Sequence, residues 1–128
     1  MKTVFYFAVA LAGGAAIGAA TVQSIHAQAK PPVYMIAQNE VSNLDAYVKE
    51  YSVKSQASAR AAGGRPLILG GKATVLDGTP PETRTVVVVW DSMEKLEAWY
   101  HVPETQALRE IGKKYATFHV FAVEGVPQ

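Results

Sequence analysis

Cysteine is absent from this 128-residue sequence, which excludes disulfides, thiolate nucleophiles, Cys-ligated zinc and covalently attached c-type haem. An excess of one charge is missing too. The chain has 12 Lys and Arg against 11 Asp and Glu, and beyond Lys2 the count is eleven of each. No basic face with interleaved aromatics stands out, so nucleic acid is not an expected partner, because neutralising phosphates takes clustered positive charge. Histidine is scarce: of three, only His101 and His119 lie beyond the first thirty residues. Neither has a partner at His-x-x-x-His spacing, so no metal and no cofactor is expected. No Gly-x-Ser-x-Gly elbow surrounds Ser52, Ser55 or Ser58.

One long uncharged run is present, and it stands at the start. Met1-Lys2 is followed by Val4 to Ala20 without a charge, then by Thr21, Gln23, Ser24 and His26, and then by Ala27-Gln28-Ala29. A basic start, an apolar middle and a small-x-small end read as a secretory signal peptide over residues 1–29, with cleavage after Ala29. The run is short for a membrane span and rich in Gly and Ala. A periplasmic or secreted product without stable membrane insertion is therefore expected, as a single domain over residues 30–128. So small a domain without disulfides must hold together by packing, which makes self-association an attractive source of further burial.

Within that domain, residues 33–39 read as a strand behind Pro31-Pro32. Ser42 or Asn43 offers a helix cap, and Leu44, Tyr47, Val48, Tyr51, Ser55 and Ala59 fall on one helical stripe. Gly63-Gly64 ends that helix. Residues 66–69 are a second strand closed by Gly70-Gly71, with 73–76 as a candidate extension, and Asp77-Gly78-Thr79-Pro80-Pro81 is a turn. Residues 84–90, with four consecutive valines, carry the strongest strand signal. Asp91 is placed to cap a helix through Trp99-Tyr100-His101, and Glu94 completes a capping box. Pro103 breaks that helix and opens another, and residues 117–123 make the last strand.

The order strand, helix, strand, strand, helix, strand predicts an α+β fold, the ferredoxin-like βαββαβ sandwich. Its first and third strands are apolar on both faces, where an antiparallel sheet with one wet face would alternate. A second copy of the chain is the simplest cover for the helix-free face, giving a homodimer in which two sheets form a dimeric α+β barrel.

Tyr34 to Ile36, Ala46-Tyr47 with Tyr51, Gly63-Gly64-Arg65 with Gly70-Gly71, and Glu97-Ala98-Trp99-Tyr100 with Pro103-Glu104 follow in order along this domain. On those residues the chain resembles domain-of-unknown-function family 1330 of the dimeric α+β barrel superfamily. That superfamily includes cofactor-free oxygenases, isomerases and haem proteins, so the fold alone does not choose an activity. The resemblance implies an Arg just before the second glycine pair and a Glu near the end of the third strand. Here those positions are Leu69 and Val89, from which a dry barrel interior with Leu69 facing Val89 is expected.

Five residues are candidates for contacting a small molecule: Tyr34, Gln38, Arg65, Tyr100 and His119. Arg65 follows a glycine pair, where its guanidinium could meet a carboxylate. His119, between Phe118 and Val120, is the one weak candidate for a catalytic base or axial haem ligand, although a hydrogen-bonded structural histidine is the commoner case. The Trp99-Tyr100-His101 run before Pro103 is explained by packing, with Leu96 and Trp99 sharing the buried side. Two functions compete: a small-molecule-binding or structural homodimer, and a cofactor-independent enzyme of isomerase or oxygenase type acting on a small apolar carbonyl or phenolic compound. A cavity on which His119 and a second polar group converge would favour the enzyme. Intact-mass analysis of the protein from its host should give a chain starting at Lys30, or at Gln28 if cleavage follows Ala27; a full-length chain would refute export.

Overall fold

The computed structural model describes residues 30–128, and Pro31–Pro127 form one compact unit. The signal sequence expected over residues 1–29 lies outside the described residues. Strand β1 is Val33–Val41. Helix α1 follows in three pieces, α-helical Leu44–Tyr47, a π-helical turn Val48–Ser52, and α-helical Val53–Ala61. Strands β2 (Arg65–Leu69) and β3 (Arg84–Trp90) come next, then α2 (Met93–Tyr100) and α3 (Pro103–Gly112), and the short β4 (Ala116–Thr117) and β5 (Val120–Glu124).

All strand pairs are antiparallel, in the order β2-β3-β1, with β4 and β5 sharing the far edge of β1. This is the predicted ferredoxin-like α+β topology, with the last strand interrupted. The register runs on through the gap, where Gln38 N–H donates to His119 O at 2.8 Å. The amide of His119 turns instead to the side chain of Asn39, at 3.4 Å from Oδ1. A side-chain acceptor thus replaces one rung of the ladder.

Alternation along β1 sorts the sheet into two faces. Val33, Met35, Ala37 and Asn39 are buried, opposite Trp90, Val88, Val86 and Arg84 of β3. They meet Leu96 and Trp99 of α2 and Ala59 of α1 in the main core. A second cluster joins Tyr47 and Tyr51 of α1 to Ala116, with Leu108 and Phe118 against it. Residues of the other parity make the helix-free face. There Phe121, Ile36, Val87 and Ile68 form one cross-strand row over β5, β1, β3 and β2, and Val123, Tyr34, Val89 and Arg65 form the next.

Local chemistry sets the element ends. Asn43 Oδ1 accepts from Ala46 N–H, and Ser92 Oγ accepts from Lys95 N–H. Asp91, expected as the cap of α2, instead binds Arg65 and Lys95. Serine is the better placed of the two because it sits three residues before the orphan amide. Residues 73–76 form no strand. The expected contact between Leu69 and Val89 is also overturned. Val89 stands opposite Arg65, while Leu69 stands opposite Val86, whose side chain points to the other face. A register shift between Pro66 and Ile68 moves Leu69 off the path that simple alternation predicts.

Gly63 takes φ +107° as the helix end, a conformation costly for other residues. Gly64 is needed for space: a Cβ there would come within 2.8 Å of the ring of Trp90, which is fully buried. Gly64→Ala should therefore cost about 1–3 kcal/mol by overpacking. Gly71→Ala, with nothing within 4 Å of the added carbon, should stay within about 0.5 kcal/mol. Urea midpoints of the two variants check this.

Candidate functional site

The interior between sheet and helices is not completely filled. A cavity of about 30 Å³ lies among Asn39, Tyr47, Tyr51, Gln56, Tyr100 and Arg109, with Ser52, Ser55 and Trp99 completing its wall. That space suits one or two waters and cannot hold a haem or flavin. Its walls carry hydroxyl, amide and guanidinium groups in the middle of an apolar core.

The π-helical turn is the reason so many polar groups of α1 meet there. Val53 N–H donates to Val48 O, five residues back, so the turn holds one residue more than an α-helical turn. Such turns often mark functional positions. Tyr47 and Tyr51 are both buried and their rings lie 5.3 Å apart. Tyr51 also packs on Phe118 at 5.2 Å. Gly112 of α3 makes the fit possible, since a Cβ there would sit 2.7 Å from Phe118 and 2.8 Å from Tyr51.

Asn39 is 3% exposed and donates from Nδ2 to the Tyr47 hydroxyl at 3.0 Å. The Tyr47 O–H is left to donate into the cavity. Burial raises the pKa of Tyr47, opposed in part by the Asn39 hydrogen bond. Burial raises that of Tyr51 too, against hydrogen bonds from Ser55 and the nearby Arg109 charge. Both phenols are neutral donors at ordinary pH. Gln56 Oε1 is buried without a partner, and an unmet acceptor beside empty space is a place for a ligand donor.

Arg109 supplies the charge. Its guanidinium carbon lies 4.7 Å from the ring centre of Tyr100 and 4.8 Å from that of Phe118, held between two aromatic faces. Among the described residues no carboxylate reaches it at ion-pair distance. No group of three or more His, Asp or Glu suited to a metal ion occurs among the described residues.

Of the sequence candidates, only Tyr100 lines this cavity. Tyr34 and Gln38 project from β1 onto the helix-free face. His119 is there as well, more than half exposed, with Nε2 3.0 Å from Glu40 Oε2. Arg65 is on the same face, its Nη1 3.0 Å from Asp91 Oδ1. His119 thus does not converge on the interior. Sequence reading missed Asn39, Tyr47, Tyr51, Gln56 and Arg109. The tyrosines read as an apolar stripe, and no pattern in the sequence marks the extra residue of the π turn.

The two phenols generate a pH prediction. A folded pKa above the ordinary 10.0 means their stabilising contribution is complete below pH 10 and is lost as pH rises through the folded values. The stability difference between the protein and a Tyr47→Phe/Tyr51→Phe variant should therefore shift against the wild type as pH rises above 10. Denaturant midpoints across that range, with absorbance at the phenolate band, check it.

Comparison with known proteins adds the following. The family described as "Domain of unknown function (DUF1330)" matches residues 32–126. No curated protein matches the chain. Among solved structures, the chain is similar to SnoaB, a cofactor-independent oxygenase from Streptomyces nogalater, with TM-score 0.58 and 10% identity over 77% of this chain and 96% of that one. It is similar to a protein of unknown function from Rhodopseudomonas palustris, with TM-score 0.58 and 14% identity over 77% and 85%. An ethyl tert-butyl ether D family protein from Bacillus halodurans C-125 has TM-score 0.52 and 16% identity over 74% and 99%. At these identities the likeness is one of fold.

Proposed function

The chain belongs to the DUF1330 family, and from that premise we propose that it is an exported homodimer that binds a small organic molecule whose polar end enters the cavity between its sheet and helices. The observation that carries the binding is the polar cavity itself, where Gln56 Oε1 is buried without a partner and the Arg109 guanidinium lies in the wall with no carboxylate at ion-pair distance among the described residues. A core that only had to be stable would fill such a space with apolar groups, because an unmet buried acceptor costs about 1–3 kcal/mol.

The helix-free sheet face supports dimerisation. Phe121 is 54% exposed and Ile68 44%, in one row with Ile36 and Val87. An apolar row over four strands, with polar Gln38, Thr85 and His119 to one side, resembles an interface core with its rim. A second copy of the same face meets it with matching chemistry. Export rests on the first 29 residues. No described helix is long and apolar enough to cross a membrane.

The alternative, a cofactor-independent enzyme on a small carbonyl or phenolic compound, draws on the fold shared with SnoaB. It has less support from the site, because neither His101 nor His119 lines the cavity and the phenols there are held neutral. A binding pocket needs oriented donors; a proton shuttle also needs a base.

Sedimentation of the purified protein should give a dimer, and Ile36→Arg, at the centre of the row, should give a folded monomer. A small-molecule panel followed by NMR should contain ligands that move the Trp99 indole N–H, which donates to Ser58 Oγ at 2.9 Å beside the cavity. A monomeric wild type would overturn the dimer. Ligands that perturb only the open sheet face would overturn the site.

A further inference from the structure

Tyr100 borders two spaces at once. Beside the polar cavity is a larger pocket of about 210 Å³ that shares Met35, Tyr100 and Val120 with it and adds Met93, Leu96, Phe121 and Ala122, with Glu97 and His101 as its polar members. Tyr100 is part of both linings. Its carbonyl is anchored by Gln106 Nε2 at 2.6 Å, while the ring is held by the guanidinium of Arg109 and by an edge contact with Trp99. Met35, Met93 and Leu96 give the larger pocket its apolar part.

The polar end has two unmet requirements, and they differ in kind. Among the described residues Arg109 has no carboxylate at ion-pair distance, and it lies between the rings of Tyr100 and Phe118 beside the Tyr51 phenol. Gln56 Oε1 is an acceptor without a donor. An anion alone would answer the first and leave the second. A neutral alcohol would answer the second and leave the cation.

Resting on the binding function proposed above, we propose that the ligand is a small, apolar-bodied hydroxy acid. Its carboxylate pairs with Arg109, its hydroxyl donates to Gln56 Oε1, and its hydrocarbon or aryl body occupies the pocket between Met35, Met93 and Leu96 once Tyr100 swings aside. The Tyr47 and Tyr51 hydroxyls are positioned as further donors to the carboxylate. Binding takes no covalent step.

Matched probes separate these contributions: mandelate, mandelamide without the charge, and phenylacetate without the hydroxyl. Calorimetry on the purified protein should give tightest binding for mandelate, with each loss weakening it about tenfold, as expected for one charge-assisted contact or one buried hydrogen bond. Arg109→Gln should erase the preference over mandelamide, whereas Arg109→Lys should keep part of it. Gln56→Leu should erase the preference over phenylacetate. Tyr100→Ala should speed association of all three. Mandelamide binding as well as mandelate, or a preference that survives Arg109→Gln, would overturn the acid while leaving a small-molecule site in place. Equal binding of phenylacetate would overturn the hydroxyl. Loss of all binding to the probes and to the broader panel would overturn both this inference and the binding function beneath it.

Discussion

The pairing of β1 with β3 is the constraint on which the rest depends. Seven consecutive Cα partners, from Val33 with Trp90 to Asn39 with Arg84, lock the two central strands. A slip by one residue would send every buried side chain to the opposite face. Trp90 would leave its place under Gly64, and Asn39 would leave Tyr47. The same register decides what lies on the helix-free face, including the apolar row through Ile36 and Val87. Core, cavity and open surface are thus three results of one alignment.

The fold was legible because its signals are local and repeated. Four valines in a row, glycine pairs after a helix and a strand, and a proline after His101 each have one easy structural meaning. Their order leaves few topologies. What escaped was set by single-residue irregularities. The shift between Pro66 and Ile68 separated Leu69 from Val89, and no side-chain pattern announces such a shift. The break in the last strand depends on an amide choosing the Asn39 side chain over a backbone carbonyl. That choice is tertiary.

The candidate site was less legible than the fold for a related reason. Sequence reading favours residue types with familiar chemistry, so it chose His119 and Arg65, which end in exposed contacts with Glu40 and Asp91. Exposed pairs of this kind contribute little. The interior site draws instead on tyrosine, asparagine and glutamine, whose chemistry depends on burial. Arg109 drew no reading from the sequence. Only its place between Tyr100 and Phe118 distinguishes it.

The π-helical turn of α1 carries one more implication, for how such a chain can change over generations. The polar lining between Tyr47 and Gln56 depends on how many residues Val48–Ser52 contains rather than on which they are. With one residue fewer, the turn would close as ordinary α-helix, and everything upstream would rotate by about 100° relative to Val53–Ala61. Tyr47 would leave the cavity wall with its side chain unaltered. Relatives that differ by a single deletion here would share nearly all their amino acids with this protein and little of its interior chemistry. Gaps in an alignment over this turn therefore say more about ligand divergence than substitutions do.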